Sequence, residues 1–212
     1  MKPFDFKVQR SYTYSNLKFE DVKSFVHIFY QLRDVFSFSS RKRILVIGPG
    51  LGFEVVILKH LGFEVITLDI NLEVKPDFIG SVDNMKCFSN KEFDIVICSH
   101  VLEHLPFEYF ENSLQEIQRI TKYALIYLPI AGLNFSFRIS LPKINDKYIN
   151  FYLPVFIFKT HKFDGEHYWE INTHGYSKKK IREIIKKYFS IIKEYHNPEW
   201  RYSYNFVLSS KK

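Results

Sequence analysis

Apolar positions along the 212-residue chain recur with two different periods, and the order in which those periods alternate predicts the architecture. Phe25, Ile28, Phe29, Leu32, Val35 and Phe36 stand at three- and four-residue steps. That spacing predicts a helix over 19–37 with those six side chains on one face. "RILVIG" (43–48) is a short β-branched run closed by glycine, which reads as a strand. "GFEVVILKHLG" (52–62) has helical spacing and a glycine stop. Further strand-like runs follow at 63–69, 77–82, 93–99 and 122–129. Between the last two, "PFEYFENSLQEIQRIT" opens on proline and puts Phe110, Leu114, Ile117 and Thr121 on one helical face. Residues 177–189 predict a second amphipathic helix, through Ile181, Ile184, Ile185 and Tyr188. The chain closes with strand-like runs at 190–196 and 201–210.

Strands that are apolar throughout, alternating with helices, predict an α/β fold with a mainly parallel sheet covered on both faces. The last two strands are separated only by "NPEW", so they pair as a hairpin and one of them runs antiparallel to the rest. One domain over 1–212 is expected, with 1–40 as a helical N-terminal extension. Residues 130–174 are too long for an ordinary connection and read as an insertion or lid over the cleft.

Composition changes this picture little. Apolar residues make up 46% and charged residues 25%, as in ordinary globular domains. The net charge of +7 would suit nucleic acid or anionic lipid, but the lysines are spread along the whole chain and mark out no partner. Two cysteines, Cys87 and Cys98, do not make a disulfide framework and suit a reducing compartment. The N-terminus lacks the apolar core of a signal peptide. The longest apolar runs, such as "FYLPVFIF" (151–158), fall short of the roughly 20 residues a membrane span needs. A cytoplasmic protein is expected, with peripheral membrane contact and oligomeric state left open.

Chemistry concentrates in two places. "VIGPGLGFE" follows the first strand and opens a helix. Gly48 permits the tight turn, Gly50 lets backbone approach a ligand, and Gly52 lets the helix start close to the strand. A dinucleotide fingerprint needs glycine where this chain has Phe53, which disfavours a nicotinamide-dependent oxidoreductase. Asp69, 21 residues after Gly48 at the tip of the second strand, is placed to accept both hydroxyls of a ribose. The second place is "FDIVICSHVLEHLP" (93–106), where His100, Glu103 and His104 spell H-x-x-E-H. On a helix this is the spacing of an inverted zinc-peptidase motif. Here a buried strand runs up to Ser99 and Pro106 opens a new helix, so no zinc-bearing helix and no resident metal are expected.

Together, "RILVIGPGLG", "LDI", "FDIVICSHVLEHLP" and the terminal hairpin resemble the class I methyltransferases that use S-adenosylmethionine, from about residue 40 onward. The resemblance implies a Rossmann-like, seven-stranded, mainly parallel sheet with helices on both faces and an antiparallel C-terminal hairpin. It places Gly48, Gly50 and Gly52 beside the methionine half of the cofactor, Asp69 on the ribose and Ile70 on adenine. Ser99 and His100 line the cleft at the tip of the fourth strand. Many relatives carry an acid where this chain has Val46, which would leave the cofactor's ammonium to backbone carbonyls. Ser81 stands where an adenine-contacting acid is usual, so Asp83, or Ser81 with the Val82 amide, takes that contact. The "LEH" turn is common in the branch acting on small molecules. The Asn/Asp-Pro-Pro-aromatic motif of nucleic-acid branches is missing, and charge alone supports an RNA substrate.

Methyl transfer depends on holding the acceptor in line, with a base where the acceptor must lose a proton. "HKFDGEHYWEINTHGYS" (161–177) is dense in ionisable and aromatic groups. It supplies Glu166 or His167 as base, with His104 next, and Tyr168 or Trp169 as a stacking wall. The expected acceptor is a small molecule or a lipid- or saccharide-linked group. A non-catalytic cofactor binder is the alternative within the same fold.

Overall fold

The apolar runs at 43–47 and 93–99 become strands because they bury side chains on both faces. A computed structural model describes residues 25–38, 43–141, 144–153, 160–163, 165–197, 199–200 and 202–211. Helix α1 (Phe25–Phe36) leads into β1 (Arg43–Ile47), α2 (Phe53–His60), β2 (Glu64–Asp69), the two-residue β3 (Phe78–Ile79) and β4 (Phe93–Ser99). Then come α3 (Phe110–Ile120), β5 (Thr121–Pro129), a hairpin of β6 (Leu133–Leu141) and β7 (Ile144–Leu153), α4 (Lys178–Tyr188), β8 (Phe189–His196) and β9 (Ser203–Ser210). Seven strands form one sheet in the order β3-β2-β1-β4-β5-β9-β8. β1 pairs parallel with β2 and β4, as β2 does with β3 and β4 with β5. β9 runs antiparallel to both β5 and β8. The order reverses between β1 and β4, and a ligand crevice opens at such a reversal, outside the carboxyl ends of the strands.

Two clusters of buried side chains cover the sheet. One joins Leu45, Val96, Leu114, Ile117, Ile126, Ile181, Ile185 and Trp169 under α3 and α4. The other joins Val35, Ile44, Leu58, Ile95, Ile97 and Tyr127 under α1 and α2. Pairing and burial in the strands follow the sequence closely, and the departures have local causes. In α1, Phe29 and Phe36 are exposed, while Tyr30, Gln31 and Asp34 are buried. Asp34 turns the helix by accepting hydrogen bonds from Tyr127 Oη, at 2.9 Å, and from Tyr195 Oη. Residues 19–24 of that predicted helix lie outside the described residues. The helix expected from Pro106 is delayed: 3-10 turns cover Leu102–His104 and Phe107–Tyr109 before α3 begins. Strand β3 ends at Ile79, where the Gly80 N–H bonds the Asp69 carbonyl (3.0 Å) and the chain turns away.

The insertion holds the largest departure. β6 and β7 pair only with each other, in register from Leu133↔Leu153 through Phe135↔Phe151 and Phe137↔Ile149. The aligned side chains of Leu133, Phe135, Phe137, Ile149, Phe151 and Leu153 are all exposed. No described helix is long and apolar enough to cross a membrane.

Candidate active site

Three glycines shape the floor of the crevice. Gly48, Gly50 and Gly52 all take positive φ, between 52° and 69°, a region other residues enter only with strain. The Gly48 N–H reaches across to the Leu68 carbonyl (2.9 Å), which ties the loop to β2. A Cβ on Gly48 would lie 2.4 Å from Val101 Cγ2, so the loop and the turn after β4 touch through glycine. At Gly50 and Gly52 a Cβ would meet nothing within 4 Å. Bare backbone faces open space there, as a close-fitting cofactor requires. Phe53, where a dinucleotide-binding loop needs glycine, packs edge-on against Phe25 at 4.9 Å.

Asp69 closes the tip of β2. Its Oδ1 accepts from the Asn71 N–H at 2.8 Å. Burial pushes its carboxyl above the ordinary aspartate range, against the opposing pull of the Asn71 and Ile70 N–H groups and of the His104 charge. Ile70 is half-buried, and Val82 is buried. Ser81 Oγ is hydrogen-bonded to Asp83 Oδ1, and the Asp83 carbonyl accepts from Asn112 Nδ2 at 2.7 Å. Ser99 Oγ is buried without a hydrogen-bond partner among the described residues. An unmatched hydroxyl at the end of β4 costs free energy unless a ligand answers it. The open backbone, the Asp69 carboxylate and this hydroxyl fit the adenosyl cofactor.

The H-x-x-E-H residues do not share a helical face. His100, at φ 54°, leaves the end of β4 and sends Nδ1 to Glu103 Oε1 and Nε2 to Ser203 Oγ, each at 3.2 Å. Glu103 is fully buried. Burial works against its charge, but the hydrogen bond from His100 and the positive charge of His104 and His167 hold its carboxyl below the usual glutamate value. Its Oε2 has no hydrogen-bond partner among the described residues.

His104 pairs instead with the insertion. Its ring stands 5.0 Å from that of His167, and its Nδ1 lies 2.8 Å from the Glu166 carbonyl oxygen. What Glu166 supplies to the cluster is thus its main chain. His167 Nδ1 lies 3.1 Å from Glu170 Oε1, and Tyr202 Oη donates to the same oxygen at 2.6 Å. Burial disfavours the Glu170 charge, but these two bonds hold its carboxyl below its usual range.

The segment carrying His167 is stitched to the sheet and is not a loose lid. The Tyr168 N–H bonds the Glu103 carbonyl (2.9 Å), and Ile171 bridges Ile130 beyond the end of β5. Trp169 corrects an expectation. It is completely buried, its Nε1 donates to the Leu105 carbonyl at 3.1 Å, and Phe107 and Phe110 pack edge-on at 5.1 and 5.0 Å. A ring so enclosed cannot stack on an acceptor. Tyr168, half-buried beside Phe163, still can. Asp164 lies outside the described residues. Sequence reasoning missed Tyr202 and Ser203, which no local motif marks; Glu170 lies in the stretch 161–177 that it singled out, with no role assigned to it.

Residues 45–124 match a family model described as a methyltransferase domain. Among solved structures, a protein of Pyrococcus horikoshii OT3 superposes with a TM-score of 0.62 at 16% identity, covering 97% of this chain and 98% of that one. The magnesium protoporphyrin IX methyltransferase of Synechocystis PCC 6803, with bound S-adenosylhomocysteine, gives 0.61 at 14% identity, over 96% and 91%. The 1,6-didemethyltoxoflavin-N1-methyltransferase of Burkholderia thailandensis gives 0.54 at 12%, over 96% and 93%. Identities this low establish a shared fold. No curated protein matches the sequence. Over residues 45–124 the chain is similar to a methyltransferase domain, and it shares the fold of these solved structures.

Proposed function

We propose that the chain is one methyltransferase domain that moves a methyl group from S-adenosylmethionine to a small-molecule or lipid- or saccharide-linked acceptor. One observation carries this reading. His104 and His167, 63 residues apart in the chain, meet with their rings 5.0 Å apart beside the turn after β4, which touches the glycine loop at Gly48 and Val101.

The cofactor supplies a methyl group on a positively charged sulfur, with a good leaving group already in place. The chain's part is positioning. Backbone at Gly48, Gly50 and Gly52 borders the methionine half, Asp69 takes the ribose hydroxyls, and Ile70, Ser81, Val82 and Asp83 border adenine. Ser99 and His100 form the wall at the end of β4. The acceptor lies between this wall and the segment 161–176, with Tyr168 along its side. His104 and His167 act on its nucleophilic atom. A neutral imidazole there can take the proton of a hydroxyl or amine, and Glu166 holds His104 through its carbonyl.

Calorimetry tests the cofactor assignment. Wild-type protein should bind S-adenosylmethionine and its demethylated product, and not NAD(H). Gly50→Val should bind neither, because a branched side chain fills the space the ligand needs. A folded Gly50→Val variant with unchanged affinity would sink the assignment. Turnover of labelled cofactor against fractionated cell extract separates an enzyme from a non-catalytic binder.

A further inference from the structure

We propose that Glu103, His104 and His167 form a binding site for one divalent transition-metal ion, of the borderline class that includes Mn2+, Fe2+, Co2+ and Zn2+. One ligand atom from each residue lies within 4.8 Å of the others. Metal–nitrogen and metal–oxygen bonds of about 2.0–2.2 Å place ligand atoms roughly 3–4 Å apart. The three groups would therefore close in by about 1 Å, within the reach of side-chain rotation.

The hydrogen bonds around the trio settle which atoms face inward. A carbonyl oxygen only accepts, so His104 Nδ1, at 2.8 Å from the Glu166 carbonyl, carries a hydrogen. In the neutral ring the lone pair is then on Nε2. His167 is set the same way, with Nδ1 toward Glu170 Oε1 at 3.1 Å, an oxygen that already accepts from Tyr202 Oη. Donation from Nδ1–H to a carbonyl or carboxylate is how metal-binding histidines are oriented. Glu103 completes the set. It is fully buried, its Oε1 is engaged by His100, and its Oε2 lacks a hydrogen-bond partner among the described residues. A buried carboxylate oxygen left unmatched is costly, and a cation between it and the two rings removes that cost. Two imidazoles and one carboxylate suit the borderline ions better than Mg2+ or Ca2+, and they leave coordination positions open.

Resting on the methyl-transfer reading of the crevice, this site implies an acceptor with a ligating oxygen. A hydroxyl on the ion releases its proton to water more readily, because the cation stabilises the oxyanion. The oxygen lone pair then bonds to the methyl carbon as the carbon–sulfur bond breaks, its electron pair leaving with sulfur. The imidazoles act on the acceptor through the ion instead of taking the proton themselves.

The test is titration of Co2+ into protein stripped with chelator, followed by calorimetry and visible absorption, with elemental analysis of the unstripped protein. One ion per chain is expected. His104→Ala and His167→Ala should each weaken Co2+ binding by 100-fold or more. Glu170→Gln, which acts only through His167, should weaken it by about 10- to 100-fold. His174→Ala, an exposed histidine of the same segment, should leave it unchanged. S-Adenosylmethionine affinity, measured in parallel, should stay within about twofold in all four and confirms that each variant is folded. If stripped protein that binds S-adenosylmethionine takes up no Co2+, or if His167→Ala retains wild-type Co2+ affinity, the site does not exist. Failure of the methyl-transfer reading would show separately, as loss of S-adenosylmethionine binding in the wild type.

Discussion

The two walls of the crevice are built on opposite plans. The cofactor wall is local: the glycine loop, Asp69 and the end of β4 come from residues 43–99, each at the tip of a strand that pairs with its neighbour. The proposed acceptor wall is assembled from afar. His104 follows β4, His167 and Glu170 come from the insertion, and Tyr202 and Ser203 come from the start of β9. The family match, over 45–124, covers the first wall and reaches only His104 of the second. A local wall can be kept as a unit while the distant one is rebuilt for a different acceptor.

If the acceptor wall is a fixed structure, its anchor is Trp169. Trp169→Ala should destabilise the fold by about 3–5 kcal/mol, as loss of a large buried aromatic does, measured by urea denaturation. A change below about 1 kcal/mol would mean that the segment is a mobile lid. Next in size, His167→Ala should lower turnover by about 10²-fold or more and leave cofactor affinity within about 0.5 kcal/mol. Loss of cofactor binding instead would merge the two walls into one pocket.

On the cofactor side, Glu54 in the first turn of α2 is buried, and burial pushes its carboxyl up to about 7 from an ordinary 4.5. The folded state therefore prefers the protonated acid. The stability this gives is complete below about pH 4.5 and is lost as pH rises through 7. Glu54→Gln should flatten that decline, gaining on the order of 2–3 kcal/mol over wild type at pH 8. Equal slopes of stability against pH in the two proteins would show that Glu54 is ionised in the fold. Asp69→Ala should show the smallest effect, a loss of about 1–3 kcal/mol in cofactor binding with the thermal midpoint of the free protein nearly unchanged.

The sequence's legibility follows the same divide. β4 begins at Phe93 and ends at Ser99, as its apolar run predicts, because a strand buried on both faces has no other pattern available. The α1 face was misjudged because Asp34 and Tyr30 are drawn inward by Tyr127, Tyr195 and Glu199, more than 90 residues away. The β6–β7 hairpin was visible in the alternation of Leu133, Phe135, Phe137 and Ile139. A 3-10 turn over Leu102–His104 keeps H-x-x-E-H off an α-helix. Its spacing carries no hint of His167, which lies 63 residues further along and meets the His104 ring at 5.0 Å.

The bridge between Ile130 and Ile171, with the Ala131 N–H on the Ile171 carbonyl at 2.9 Å, fastens the two ends of the insertion side by side. Between those clasps, the described β6–β7 ribbon pairs with itself and stands apart from the seven-stranded sheet. Closure of such a loop depends only weakly on its length, with each doubling costing about 0.6 kcal/mol. The β6–β7 ribbon can thus be lengthened, trimmed or exchanged without shifting the register of any of the seven strands. For an engineer, this is a socket: a new ribbon spliced between Gly132 and His161 would meet the same unaltered cofactor floor.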